Sequence, residues 1–254
     1  MSAPIIPGAE PYSAAGDRRG ALVLHGFTGN PQSMRGLALA LAAAGLTVEL
    51  PLLPGHGTEV ADMVPTRWED WAAAAEAAYA DLASRCEAVA IVGLSMGGTL
   101  GVWLAEQHPE VAGLVLVNPL VVPPAPDTVA FIDALIEGGD ELAPGVGSDI
   151  ALEGSVEAAY AELPLRAVRS LFAGAQQVAA GLGAVACPVL LFSSRNDHVV
   201  DPVSGDRVAE GVAGPVERVM LERSFHVATL DFDKDEIESR TVAFVRGVLA
   251  PTGA

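Results

Sequence analysis

The chain has 254 residues, 51% of them apolar, which suffices for one large domain, or a domain with an insertion, around a sizeable core. Its 32 acidic and 14 basic residues give a net charge of −18, which argues against nucleic acid and anionic membranes as partners and favours neutral or cationic ligands. The two cysteines, Cys86 and Cys187, each adjoin an apolar run and are expected as free buried thiols; no cysteine–histidine cluster suggests zinc.

The first half alternates short apolar runs with longer helical patterns, the signature of a parallel sheet with crossover helices. Strands are predicted over 21–24 and 47–50, with a helix over 33–44 between them, closed by Gly45. An alanine-rich helix follows over 68–84, then a strand over 88–92, a helix over 98–107 and a strand over 114–117. Residues 120–186 open with Val121-Val122-Pro123-Pro124-Ala125-Pro126 and read as helix-like or irregular. Leu165, Val168, Leu171, Phe172, Ala175 and Val178 recur there at helical spacing. The parallel pattern resumes with a strand over 189–192, a helix near 203–212, a strand over 216–221 and a terminal helix near 235–249. The division expected is a core of 1–119 and 187–254 with a cap insertion over 120–186, placed over the strand ends where open α/β sheets bind ligands.

No basic-then-apolar leader opens the sequence. The long uncharged stretches 88–105 and 170–194 are broken by glycine, and the second also by glutamine and proline, so neither is expected to span a membrane. A cytoplasmic location is the expectation.

The chemistry is written most clearly at Gly93-Leu94-Ser95-Met96-Gly97, directly after the apolar run 88–92. G-x-S-x-G at the end of a buried strand is the sequence form of the nucleophile elbow, which lifts a serine hydroxyl to the sheet edge. A serine needs a base to take its proton, and the base needs a third group to orient it. In this fold they follow in the order serine, acid, histidine. His226, in Ser224-Phe225-His226 past the strand 216–221, fits the base; His198 reads as a neighbour of the site. Asp197 is the favoured acid, with Asp201 the alternative, since Asp201 precedes Pro202 and could instead cap the next helix. The oxyanion hole is expected from the backbone N–H of Met96 and of a loop residue after the first strand, here Phe27 in Leu24-His25-Gly26-Phe27-Thr28-Gly29. His25 and the loop Pro54-Gly55-His56-Gly57 read as structural.

With these residues in view the chain resembles an α/β-hydrolase, and more narrowly the bacterial monoacylglycerol lipases and their carboxylesterase relatives. The matching motifs are HGFTG (25–29), GHGT (55–58), GLSMGGTL (93–100), DHVV (197–200) and SFHVATLD (224–231). The resemblance implies a mostly parallel sheet flanked by helices, with a small, largely helical cap. It implies Ser95, Asp197 and His226 as triad, and Phe27 and Met96 as oxyanion donors. It further implies an acyl tunnel in the cap, with Glu157 at the glycerol end and Val146 against the acyl or glycerol moiety.

The activity expected is hydrolysis of neutral monoacylglycerols through an acyl-enzyme, without a cofactor or metal. A small-ester carboxylesterase or lactonase is the alternative, and a hydrolase fold that binds without turnover comes behind it. An acyl-CoA thioesterase fits poorly, because residues 120–186 hold nine acids against only Arg166 and Arg169.

Overall fold

A computed structural model describes residues 3–250 of the chain. Its centre is a seven-stranded sheet built from β1 (Tyr12–Ala14), β2 (Arg19–Leu24), β3 (Thr47–Leu50), β4 (Ala88–Leu94), β5 (Gly113–Val117), β8 (Val189–Ser194) and β9 (Val216–Leu221). The order is β1-β3-β2-β4-β5-β8-β9, parallel throughout except for β1, which runs antiparallel to β3. The central strands are buried on both faces, which is why they read as unbroken apolar runs.

Successive side chains on those strands enter opposite layers, as the two-residue period of a strand requires. Leu22, Leu24, Ile91, Leu114, Leu116 and Leu191 join one apolar cluster, with α3 (Trp68–Arg85) and α4 (Met96–Gln107). Ala21, Val23, Val92, Val115, Val117 and Phe192 join the other, with α1 (Arg35–Ala43) and α8 (Lys234–Val248). The apolar face of an 18-residue helix such as α3, with Trp71, Ala75, Tyr79 and Leu82 buried, is what makes the first layer possible.

Between β5 and β8 the chain leaves the sheet. It forms α5 (Pro126–Gly138), a short antiparallel ladder of β6 (Leu142–Pro144) with β7 (Glu162–Pro164), and α6 (Leu165–Gly181). The helix predicted from the 165–178 periodicity is α6; the ladder was not anticipated, because three-residue strands carry no periodic signal. Ala167, Leu171, Ala175 and Val178 of α6 belong to the same apolar cluster as α3 and α4, so this helix roots the segment in the core. Two further α-helices, α2 (Val60–Met63) and α7 (Val203–Gly211), and three 3-10 turns (Pro31–Met34, Leu182–Ala184 and Ala228–Leu230) complete the elements among the described residues. Among the described residues no helix is long and apolar enough to cross a membrane. Both cysteines are free, Cys187 buried and Cys86 half-buried.

Candidate active site

The parallel register aligns strand ends: Leu24 stands beside Gly93, Leu94 beside Val117, and Ser194 beside Leu221. Each candidate residue follows one of those ends. Phe27 follows β2, Ser95 follows β4, Asp197 follows β8 and His226 follows β9.

Ser95 has φ 53° and ψ −117°, a left-handed conformation that costs a non-glycine residue energy and that the surrounding turn must enforce. The helix begins at the very next residue, two positions earlier than predicted, because the elbow has no connecting loop. The flanking glycines are steric requirements. A Cβ on Gly93 would lie 2.2 Å from the Gly97 carbonyl oxygen, and one on Gly97 2.1 Å from that of Leu24. The Ser95 hydroxyl has no hydrogen-bond partner among the described residues, and Ser95 opens onto the cavity described below.

His226 is buried, and its Nδ1 donates to Asp197 Oδ2 at 2.8 Å. That bond fixes the tautomer and leaves Nε2 as the free, basic nitrogen. Burial opposes charging the ring, but the Asp197 hydrogen bond and charge, with the carboxylates of Glu157 and Asp149, outweigh it and hold the histidine above its ordinary value. The Asp197 carboxylate is further set by the N–H groups of Val199 and Val200, at 2.9 and 2.8 Å. Asp201 instead accepts from the Val203 N–H at 2.9 Å, at the start of α7. The structure thus brings Asp197, and not Asp201, to the histidine.

Neither the Phe27 nor the Met96 N–H is engaged by another group among the described residues. Beneath Phe27 lies a cluster in which its ring meets Trp71 and His56 edge-on, at 5.4 and 6.2 Å. His25 is wholly buried, donates from Nδ1 to the Gly26 carbonyl at 2.9 Å and accepts at Nε2 from Leu53 N–H at 3.2 Å. Burial lowers its pKa to about 4, so it is a neutral strut for the loop. His56, also buried, holds the Pro54 carbonyl at 3.0 Å.

A cavity of about 640 Å³ connects these parts. Ser95, His226, Phe27, Glu157 and Val146 all line it. Leu120, Ile132, Leu163, Val168, Leu171 and Phe172 supply apolar wall, and among the described residues no arginine or lysine lines it. Glu157 is pressed against the loop after β2: a Cβ on Gly29 would lie 2.5 Å from its Oε1. Burial pushes the Glu157 carboxyl up, against the opposing pull of a charged His226 and of the Ser33 hydroxyl. Val146 is 69% exposed, at the rim.

Two residues at the site escaped the sequence. Asn118, in the left-handed region at φ 45°, accepts from Ser194 N–H at 2.7 Å and donates to the His226 carbonyl at 2.8 Å, tying β5 to the histidine loop. Its only signal is an Asn-Pro pair after a strand. Asp149 reaches His198 and His226 from the insertion, with no motif to announce it. Among the described residues no group of three or more His, Cys, Asp or Glu could hold a metal ion.

A parallel sheet that delivers a strained serine and a carboxylate-bound histidine to one cavity at its strand ends defines the class, a hydrolase of the α/β type. The comparisons narrow it. The sequence profile of the alpha/beta hydrolase fold family matches residues 22–157. The chain is 42% identical to the thermostable monoacylglycerol lipase of Bacillus sp. (strain H-257), over 95% of this chain and 96% of that one. It is 26% identical to the carboxylesterase of Bacillus subtilis (strain 168), over 93% of this chain and 96% of that one. A solved structure reported for LipS and LipT, two metagenome-derived lipolytic enzymes, superposes with a TM-score of 0.92 at 44% identity, covering 96% of this chain and 100% of that one. The chain belongs to the alpha/beta hydrolase family and, within it, to the carboxylic ester hydrolases.

Proposed function

We propose that the protein hydrolyses neutral monoacylglycerols to fatty acid and glycerol through an acyl-enzyme. One observation carries this reading: the cavity that opens on Ser95 and His226 is walled by apolar side chains, contains the carboxylate of Glu157 and, among the described residues, has no arginine or lysine in its lining. Apolar wall suits an acyl chain. A half-buried carboxylate suits the two free hydroxyls of a glycerol ester, to which it can accept charge-assisted hydrogen bonds. An acyl-CoA or a lysophosphatidic acid would bring phosphate to a wall that carries the acids Asp149, Glu157 and Asp201 and, among the described residues, no arginine or lysine to pair with it.

The residues divide the work as follows. Ser95 Oγ attacks the ester carbonyl as His226 Nε2 takes its proton, and the Asp197 carboxylate stabilises the imidazolium. The Phe27 and Met96 N–H groups receive the oxyanion of the tetrahedral intermediate. The C–O bond to glycerol breaks as His226 returns the proton to the departing alkoxide. Water, deprotonated by the same nitrogen, then cleaves the acyl-enzyme and restores Ser95. Glu157 meets the glycerol end, and Val146, at the rim, meets the acyl or glycerol moiety. Residues 120–186 act as the cap over a core of 1–119 and 187–254, with α6 its root. A cytoplasmic location fits this reading.

The test is a panel of monoacylglycerols against methyl and p-nitrophenyl esters of the same chains, together with a serine-reactive phosphonate. Monoacylglycerols should have the highest kcat/KM, and the phosphonate should label Ser95. Equal turnover of the methyl esters would make the protein a general carboxylesterase, and no labelling would refute the serine mechanism.

A further inference from the structure

Asp149 belongs to the insertion, yet its side chain serves the two loops that carry Asp197 and His226. Its Oδ2 accepts from the backbone N–H of His198 at 3.1 Å and of His226 at 3.0 Å. Its Oδ1 accepts from His198 Nδ1 at 2.8 Å, and its own carbonyl accepts from Val227 N–H at 3.0 Å. The side chain is only 12% exposed. One carboxylate therefore bridges a residue adjacent to Asp197 and the backbone of His226 itself. His198, which neighbours the site without reaching the cavity lining, is explained as its anchor: the ring meets Phe225 edge-on at 4.5 Å and holds Oδ1 in place.

We propose that Asp149 is a positioning residue for His226: it sets the spacing between the acid loop and the base loop, and it places a further fixed negative charge beside the imidazole. This rests on the reading of His226 as the base. A hydrogen bond of 2.8 Å between Asp197 and a ring that gains and loses a proton in every turnover requires both backbones to be fixed relative to each other. Asp197 sits on a turn after β8 and His226 on one after β9; the exposed Arg195–Glu222 pair links the bases of those turns, and Asp149 links them at His198 and His226 themselves, next to the catalytic side chains. The attachment also fastens the insertion to the histidine, so that the wall of the cavity and the base are held as one piece.

The charge has its own consequence. The acids facing the ring are Asp197 from the loop after β8 and Glu157 and Asp149 from the insertion. Asp201 lies further along the cavity wall, and buried Asp231 holds the neighbouring Phe225 N–H at 2.9 Å. A negative charge beside an imidazole favours its protonated form, so removing one lowers the pH at which the base becomes charged and inactive.

The experiment measures kcat and KM against pH for wild type, Asp149→Asn, Asp149→Ala and His198→Ala, with p-nitrophenyl acetate, too short to depend on Glu157 or the acyl wall. Rates are expressed per active site titrated with the phosphonate, so unfolded protein does not count. Asp149→Asn keeps the size and can still accept from both N–H groups. It should move the acid limb down by about half a pH unit with KM unchanged. Asp149→Ala should move the limb the same way and lower kcat by about tenfold or more, because the loops lose the link beside Asp197 and His226. His198→Ala keeps the Asp149 charge and should leave the limb in place. An acid limb unmoved in Asp149→Asn, or a loss confined to KM, overturns the proposal. If wild type itself is not labelled at Ser95, the serine mechanism beneath the proposal fails instead, so the two failures are separable.

Discussion

Two stretches of the insertion meet the same cavity and are held there by different forces. Residues 149–160 are stitched to the core by polar bonds on both sides. Asp231 accepts from Ala151 and Leu152 N–H at 2.7 and 2.9 Å, Gln32 holds Val156 and Ala158, and Tyr160 donates to Gly55 at 2.9 Å. Helix α5 has almost none of this. It leans on α6 through Ile132, Leu135 and Ile136, with one ion pair, Arg169 to Asp133 at 2.8 Å, and leaves Phe131 64% exposed. Hydrogen bonds are directional and fix a group to a fraction of an ångström, whereas apolar contact is non-directional and tolerates repacking. The stitched stretch carries Glu157, which in the proposed function meets particular hydroxyls. The leaning helix supplies apolar wall, which in the proposed function takes an acyl chain, where shape matters less than area.

Substitutions can break that contrast in order of size. The largest effect belongs to neither stretch. Ser95→Ala should lower kcat by several orders of magnitude on every ester while the thermal transition stays near wild type, because triad members act as a unit. Retained turnover would remove the basis for comparing the two walls at all. Next, Asp197→Asn should lower kcat by about a hundredfold or more, since the histidine loses the partner that fixes its tautomer. Asp201→Asn should stay within a few-fold, because it loses only charge at the start of α7. Steady-state kinetics on one p-nitrophenyl ester compares the pair; a worse lesion at Asp201 would reassign the acid. The smallest effect should come from α5. Ile132→Ala should change the ranking of acyl lengths by only a few-fold. It should cost about 2 kcal/mol of stability in a denaturant melt, the low end for such a truncation, since Ile132 sits in a small satellite cluster. A total loss of activity in a folded protein would show that α5 is as exact a wall as the stitched stretch.

The same contrast explains what could be read from the sequence. The sheet was legible because β2, β4, β5 and β8 are buried on both faces and so appear as apolar runs. Ser95 was legible because its turn has steric demands that only glycines at 93 and 97 meet. His226 followed from chain order once the elbow was found, and chain order left Asp197, favoured, beside Asp201; the bond to the histidine is what separates the two. Asp149 and Asn118 were not legible, because each acts through partners far along the chain: His198 and His226 lie 49 and 77 residues beyond Asp149, and Ser194 lies 76 beyond Asn118. Polar stitching of this kind has no period and no composition. Strand β1, with three residues at the sheet edge, and the β6–β7 ladder were too short to show a pattern.

The most direct test is the response of two esters to one substitution. Glu157→Leu removes the carboxylate that the stitched stretch holds in the cavity and leaves the ester chemistry intact. With a monoacylglycerol the loss in kcat/KM should be about tenfold or more, since charge-assisted bonds to the glycerol hydroxyls contribute roughly 1.5–3 kcal/mol each. With the p-nitrophenyl ester of the same acid, which has no such hydroxyls, kcat/KM should stay within a few-fold of wild type. A selective loss on the monoacylglycerol is the predicted result. An equal loss on both esters, or none on either, would contradict the claim that this wall reads glycerol.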